Sequence, residues 1–209
     1  MSKIRLLRRG IIGALAGAVI AIPLLSAPAS ATEIGILRIK QVTRYALDDN
    51  FGLDSLYAVT FIGDPNSGAV TSTTKVFIPY SGPNTWNPNV TIGYVPAGAI
   101  TFTALVEEDA ANDLSGSDLA NIRSSMAFWY SADFARMAAP VSSANHMTRD
   151  QMIAHMREVL RSQVIAATES GVGGDDVLGG SYATVSGVGL LSPMRFNDGG
   201  DYVITLGVD

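Results

Sequence analysis

Ala99-Ile100-Thr101-Phe102-Thr103-Ala104-Leu105-Val106 sets Ile100, Phe102, Ala104 and Val106 on one side of an extended chain and Thr101 and Thr103 on the other. Period-two alternation of aromatic and β-branched residues predicts a strand. The same pattern extends in both directions. Ile34–Val42 carries Ile34, Ile36, Leu37 and Ile39, Ser55–Ile62 is rich in Tyr, Val, Thr and Phe, and Thr73–Tyr80 and Asn89–Val95 read as further strands. Turn chemistry separates the last two, with Ser81-Gly82-Pro83-Asn84 and Asn87-Pro88-Asn89 between them. Tyr182–Leu191 and Asp201–Val208 complete a set of about seven.

The segment between the fifth and sixth strands has another period. Leu119, Ile122, Met126, Trp129 and Met137 recur at helical spacing over Ser115–Met137, and Ser115 with Asp118 forms a capping-box pattern at its start. Thr148-Arg149-Asp150-Gln151 is a second such pattern, opening a face of Met152, Met156, Val159, Leu160 and Val164 that Gly171, Gly173 and Gly174 terminate. The order is five strands, two helices, two strands. Short strands punctuated by turns predict a mainly β fold, an antiparallel β-sandwich of seven to eight strands with a two-helix insertion at about 115–168. The helices are expected to hang from the rim of the loop that carries them.

The first 31 residues have a different purpose. Lys3, Arg5, Arg8 and Arg9 precede an apolar run from Ile11 to Leu25, and Ala29-Ser30-Ala31 is a small-x-small cleavage pattern. Residues 1–31 therefore read as a secretory signal peptide, with 32–209 as one exported domain. Arg8-Arg9 also fits a twin-arginine signal. Four of the fourteen Lys and Arg leave with the leader, so the mature part carries ten against nineteen Asp and Glu, a net charge of −9. That balance argues against a nucleic-acid partner. There is no cysteine, which excludes disulfides and thiolate chemistry. No later apolar stretch is long enough to predict a transmembrane anchor.

The acidic residues cluster at strand ends. Asp48, Asp49 and Asp54 lie between the first two strands, Glu107, Glu108, Asp109 and Asp113 follow the fifth, Asp175 and Asp176 follow the helices, and Asp198 and Asp201 precede the last strand. Loops of a sandwich gather at its rims. Carboxylates converging there repel unless a cation neutralises them, and Ca2+ accepts six to eight oxygen ligands in loose geometry. Zinc has only His146 and His155 to use. No nucleophile elbow, HExxH pair or P-loop is present, and no catalytic residue is assigned.

Asp49-Asn50-Phe51-Gly52-Leu53-Asp54, running into a strand that opens with Tyr57, resembles the first calcium loop of C2 domains. Val106-Glu107-Glu108-Asp109 resembles their later acidic loop, and Asp175-Asp176-Val177-Leu178-Gly179 resembles the element that follows it. The resemblance spans 34–109 and 173–208. It implies a C2-like sandwich with Ca2+ held by Asp49, Asp54, Glu107, Asp109 and Asp176, and with Asp48, Glu108 and Asp175 next to them. It departs from the pattern in Asp54-Ser55-Leu56-Tyr57, in Glu107-Glu108, and in the length of the helical insertion. Gly173–Gly180 also resembles half of a calcium-binding glycine-rich nonapeptide repeat. The resulting expectation is a secreted calcium-binding module with a structural or partner-binding role, docking a protein or small ligand through Phe128, Trp129 and Tyr130. Two alternatives stand beside it. One is a secreted hydrolase with paired catalytic carboxylates, and the other a metal-independent interaction factor acting through the aromatic helix.

Overall fold

The computed structural model describes residues 33–46, 55–80, 84–108, 114–168 and 175–209. Six strands precede the helices: β1 (Glu33–Ala46), β2 (Leu56–Gly63), β3 (Val70–Ile78), β4 (Thr85–Trp86), β5 (Val90–Pro96) and β6 (Ile100–Glu107). Then come α1 (Gly116–Ala138) and α2 (Arg149–Thr168), followed by β7 (Asp176–Thr184), β8 (Gly189–Leu190), β9 (Met194–Phe196) and β10 (Asp201–Val208). The strands form two open antiparallel sheets. One has four strands in the order β3-β2-β6-β7; the other has six, with β1 and β10 paired at its centre and β4, β5, β8 and β9 on their flanks.

Two cores hold this together. The first lies between the sheets, where Leu37, Ile39, Val42, Ile204 and Leu206 of one meet Leu56, Ala58, Ile62, Leu105 and Leu178 of the other. The second lies on the outer face of the four-stranded sheet, where Tyr57, Val59, Phe61, Ile100, Phe102, Ala104 and Val106 meet Ile122, Met126, Tyr130, Met152, Met156 and Leu160 from the helices. The molecule is thus three layers, sheet on sheet on helices. The helices do not hang from a rim. They lie over the sheet, because the apolar face of β2 and β6 needs a cover of its own.

This arrangement explains why β2 and β6 are buried at every position. The face that reads as polar is enclosed as well, and its hydroxyls find partners. Thr60 Oγ1 and Thr103 Oγ1 are 3.1 Å apart across the ladder, and Thr101 Oγ1 donates to the Ala183 carbonyl at 3.2 Å. Both helices begin as their capping patterns require. The Asp118 amide donates to Ser115 Oγ at 3.2 Å and the Ser115 amide to Asp118 Oδ2 at 3.1 Å. The Thr148 amide donates to Gln151 Oε1 at 2.8 Å and the Gln151 amide to Thr148 Oγ1 at 3.2 Å.

Tyr130 anchors α1 to the sheet. Its ring packs edge-on to Phe61 at 5.5 Å, yet its hydroxyl is buried without a hydrogen-bond partner among the described residues. Burial first, then the Asp64 carboxylate, pushes the phenol well above its usual pKa, and Arg149 opposes the shift. Tyr130→Phe is expected to raise stability by about 1 kcal/mol in urea titrations, because it removes an unsatisfied buried group. The phenol stays protonated in the folded chain, whereas in the unfolded chain it ionises near pH ~10. Its contribution is therefore complete below that pH and falls above it, by up to about 1.4 kcal/mol per pH unit. The Phe variant should lack this part of the alkaline slope; equal slopes in the two proteins would refute the assignment.

Candidate functional site

One rim of the four-stranded sheet carries Glu107, Glu108, Asp175 and Asp176. Ile78, Leu56, Glu107 and Asp176 form a single row across the ladders, with Ile78 and Glu107 on either side of Leu56, and Asp176 beyond Glu107. At this rim β2 begins, β6 ends and β7 begins. The Glu108 amide donates to the Ser55 carbonyl at 2.7 Å, which ties the segment after β6 to the residue that follows Asp54 in the chain. Asp48, Asp49, Asp54 and Asp109 lie outside the described residues, as do Asp113 and the glycines 171, 173 and 174.

The four described site residues go to different places. Glu107 and Asp176 are direct cross-strand partners and share one face of the sheet. Like charges in that relation are destabilising without a counterion or donor. Glu107 is 7% exposed, while Asp176 is open to solvent. Asp175, one residue earlier, sits on the opposite, helix-side face. It is fully buried and accepts a hydrogen bond from the Tyr57 hydroxyl at 2.7 Å. Glu108 borders an open groove of about 560 Å³ with Ser55, Phe77, Pro79 and Tyr80. The pair Asp175-Asp176 is therefore split by strand alternation, and its two carboxylates serve separate surroundings. Among the described residues no group of three or more His, Cys, Asp or Glu side chains is placed to hold a metal ion.

A positive charge also reaches this rim. Lys75 of β3 places its ammonium 4.0 Å from the Tyr57 ring centroid and 4.6 Å from that of Phe77. The sequence marks Tyr57 as opening a strand, but nothing in it pairs Tyr57 with Asp175, 118 positions away. The fourth acidic cluster is committed to arginines. Asp201 receives two hydrogen bonds from Arg195, at 2.9 and 2.6 Å, and Asp198 pairs with Arg161. Asp176–Gly180, which resembles part of a nonapeptide repeat, is antiparallel strand paired with β6.

The aromatic run on α1 divides by helical geometry. Tyr130 faces the sheet and is fully buried, so it belongs to the core and offers no docking surface. Phe128 and Trp129 are 65% and 40% exposed. Trp129 meets the His155 ring edge-on at 5.3 Å, and His155 Nδ1 is 2.5 Å from Oδ2 of the buried Asp133. Asp133 thus fixes the His155 ring at the contact between α1 and α2, an orientation that spacing along the chain does not reveal. His146 Nδ1 lies 2.9 Å from the Ala139 carbonyl and serves the interhelical turn.

No helix among the described residues is long and apolar enough to cross a membrane. No family model matches the sequence, and no curated protein matches it either.

Proposed function

We propose that the mature chain is an exported, calcium-binding β module of C2-like build with a structural or partner-binding role. Ca2+ orders the acidic loops at the rim where β2 and β7 begin and β6 ends. Its ligands are drawn from Asp49, Asp54, Glu107, Asp109 and Asp176, with Asp48, Glu108 and Asp175 next to them. The observation that supports this most is the row Leu56–Glu107–Asp176. It puts the attachment points of three acidic segments side by side, with two carboxylates opposed on adjacent strands. Those two alone are too few for an ion that takes six to eight oxygens, so the remaining ligands must come from the segments that join this rim. The Tyr57 bond gives Asp175 a supporting place behind the site. The opposed carboxylates sit on neighbouring strands at a rim and do not face each other across an aromatic cleft, which favours ion binding over the hydrolase alternative. Phe128 and Trp129 offer the partner-facing surface.

Calcium is expected to raise the melting temperature of the chain from Thr32 onward. At a hundredfold excess over Kd, binding adds about 2.7 kcal/mol, or roughly 5–10 °C for a domain of this size. EDTA should reverse the shift, and Glu107→Gln with Asp176→Asn should diminish it. An unchanged transition at millimolar calcium, with no heat in calorimetric titration, removes the proposal.

A further inference from the structure

An acidic chain places three of its arginines around one cleft. Arg157 and Arg161 stand one helical turn apart on α2, Arg195 belongs to β9, and together they line an open cleft of about 420 Å³ beside Gly179 and Gly180 of β7. The two glycines let helix and strand approach closely. A Cβ on Gly180 would lie 3.2 Å from the Arg157 carbonyl oxygen, and Gly179 holds a φ of +128°.

Each guanidinium is held in place by an acceptor that leaves donors over. Arg157 Nε and Nη2 donate to the Gly180 carbonyl at 3.2 and 2.9 Å. Arg195 uses Nε and Nη2 on Asp201, and Arg161 uses Nη2 on Asp198. A guanidinium has five N–H donors, so the Nη1 group of each makes no bond among the described residues. Arg157 has no carboxylate partner at all among them. Glu158 and Asp198 line the cleft with the three arginines, and Asp201 is bound to Arg195 at its edge. Three guanidiniums thus stand beside three carboxylates, on a chain with 14 Lys and Arg against 19 Asp and Glu, and the Arg157 guanidinium is the one not bound to a carboxylate. Pinning α2 to β7 needs Arg157 alone and does not require Arg161 and Arg195 to converge on the same space.

We infer that this cleft binds a tetrahedral oxyanion, a phosphate or sulfate group, as the free ion or as an ester on a larger molecule. Guanidinium forks match such oxyanions in geometry and charge. Because the three are already oriented, little side-chain ordering opposes binding. The site is separate from the acidic rim and does not depend on calcium.

The test is isothermal calorimetry with inorganic phosphate and with sulfate, at constant ionic strength set by chloride and with EDTA present. Saturable binding of either anion is expected, together with a weakening of at least about tenfold in Arg157→Gln and in Arg161→Gln. Arg123→Gln is the control. Its guanidinium makes the same kind of bond, to the Thr73 carbonyl at 3.0 Å, but from α1 and outside the cleft. Binding should survive that change. If Arg157→Gln does not fold, Arg195→Gln carries the same expectation. Tighter binding of a phosphorylated or sulfated sugar than of the inorganic ion assigns the ester, and equal or weaker binding assigns the free ion. No saturable response to either anion by about 10 mM, ten times a Kd of ~1 mM, overturns the inference, as does an equal loss in Arg123→Gln.

Discussion

Phe102→Ala should lower the free energy of unfolding by about 3–5 kcal/mol, the range for deleting a large aromatic side chain from a packed core. Phe102 lies on β6, an inner strand of the four-stranded sheet, and is fully buried. Its ring is 6.1 Å from Phe61 and 6.4 Å from Tyr130, at the seam between sheet and α1. The strand is bonded on both sides, to β2 and β7, so the backbone cannot sink to fill the space. The upper part of the range is therefore expected. Urea unfolding should show the midpoint falling with an unchanged m-value; a smaller m-value would mean that the helical layer had separated from the sheets. Phe128→Ala, at a ring exposed on the far side of the same helix, should change stability by less than about 0.5 kcal/mol. A cost below about 1 kcal/mol for Phe102→Ala would contradict the three-layer packing.

Adding one methyl group should be nearly as damaging at Gly63. A Cβ there would lie 2.4 Å from Cζ of Tyr130 and under 3 Å from two more ring atoms. The Tyr130 ring is fully buried against Phe61 and Phe102, so making room for the methyl group is expected to require α1 to lift or the end of β2 to bend. Overpacking of this kind costs about 1–3 kcal/mol, and the depth of the overlap puts Gly63→Ala near the top. The double variant is diagnostic. With Tyr130 already replaced by Ala, the same Gly63→Ala change should cost little, giving a coupling energy of about 2 kcal/mol. Additive effects would show that the close approach is not what makes glycine necessary. Gly68 repeats the device on the same hairpin: with φ at +69°, its Cβ would meet the Phe134 ring at 2.6 Å.

Much of the fold can be read along the chain where local chemistry and packing agree. β10 coincides with its expected span, both capping boxes form, and β2, β5 and β6 begin within a residue of expectation. The expectation fails where glycine conceals a strand. β7 starts at Asp176, ahead of the expected Tyr182, because Gly179 and Gly180 read as loop although they pair with Leu105 and Ala104. β4 and β9, of two and three residues, are too short for periodicity to register; their neighbours β1 and β10 define them. Alternation also identifies β6 as a strand without saying what covers each side. The apolar face turned out to meet the helices, and the threonine face the opposite sheet. The site is legible to the same degree. Charge clustering singles out Glu107, Asp175 and Asp176, but register decides that Asp176 shares a face with Glu107 while Asp175 turns towards Tyr57.

The pairing of β1 with β10, Leu37 against Val208, has a consequence for biogenesis. At ribosomal speeds of about 5–20 residues per second, the early strand waits roughly 10–30 s for its neighbour to be synthesised. During that interval Leu37, Ile39 and Val42 have no finished sheet to enter, and the core between the two sheets stays open. Once β10 has been made, closure of that one ladder joins strands from opposite ends of the described sequence and completes the layer between the sheets.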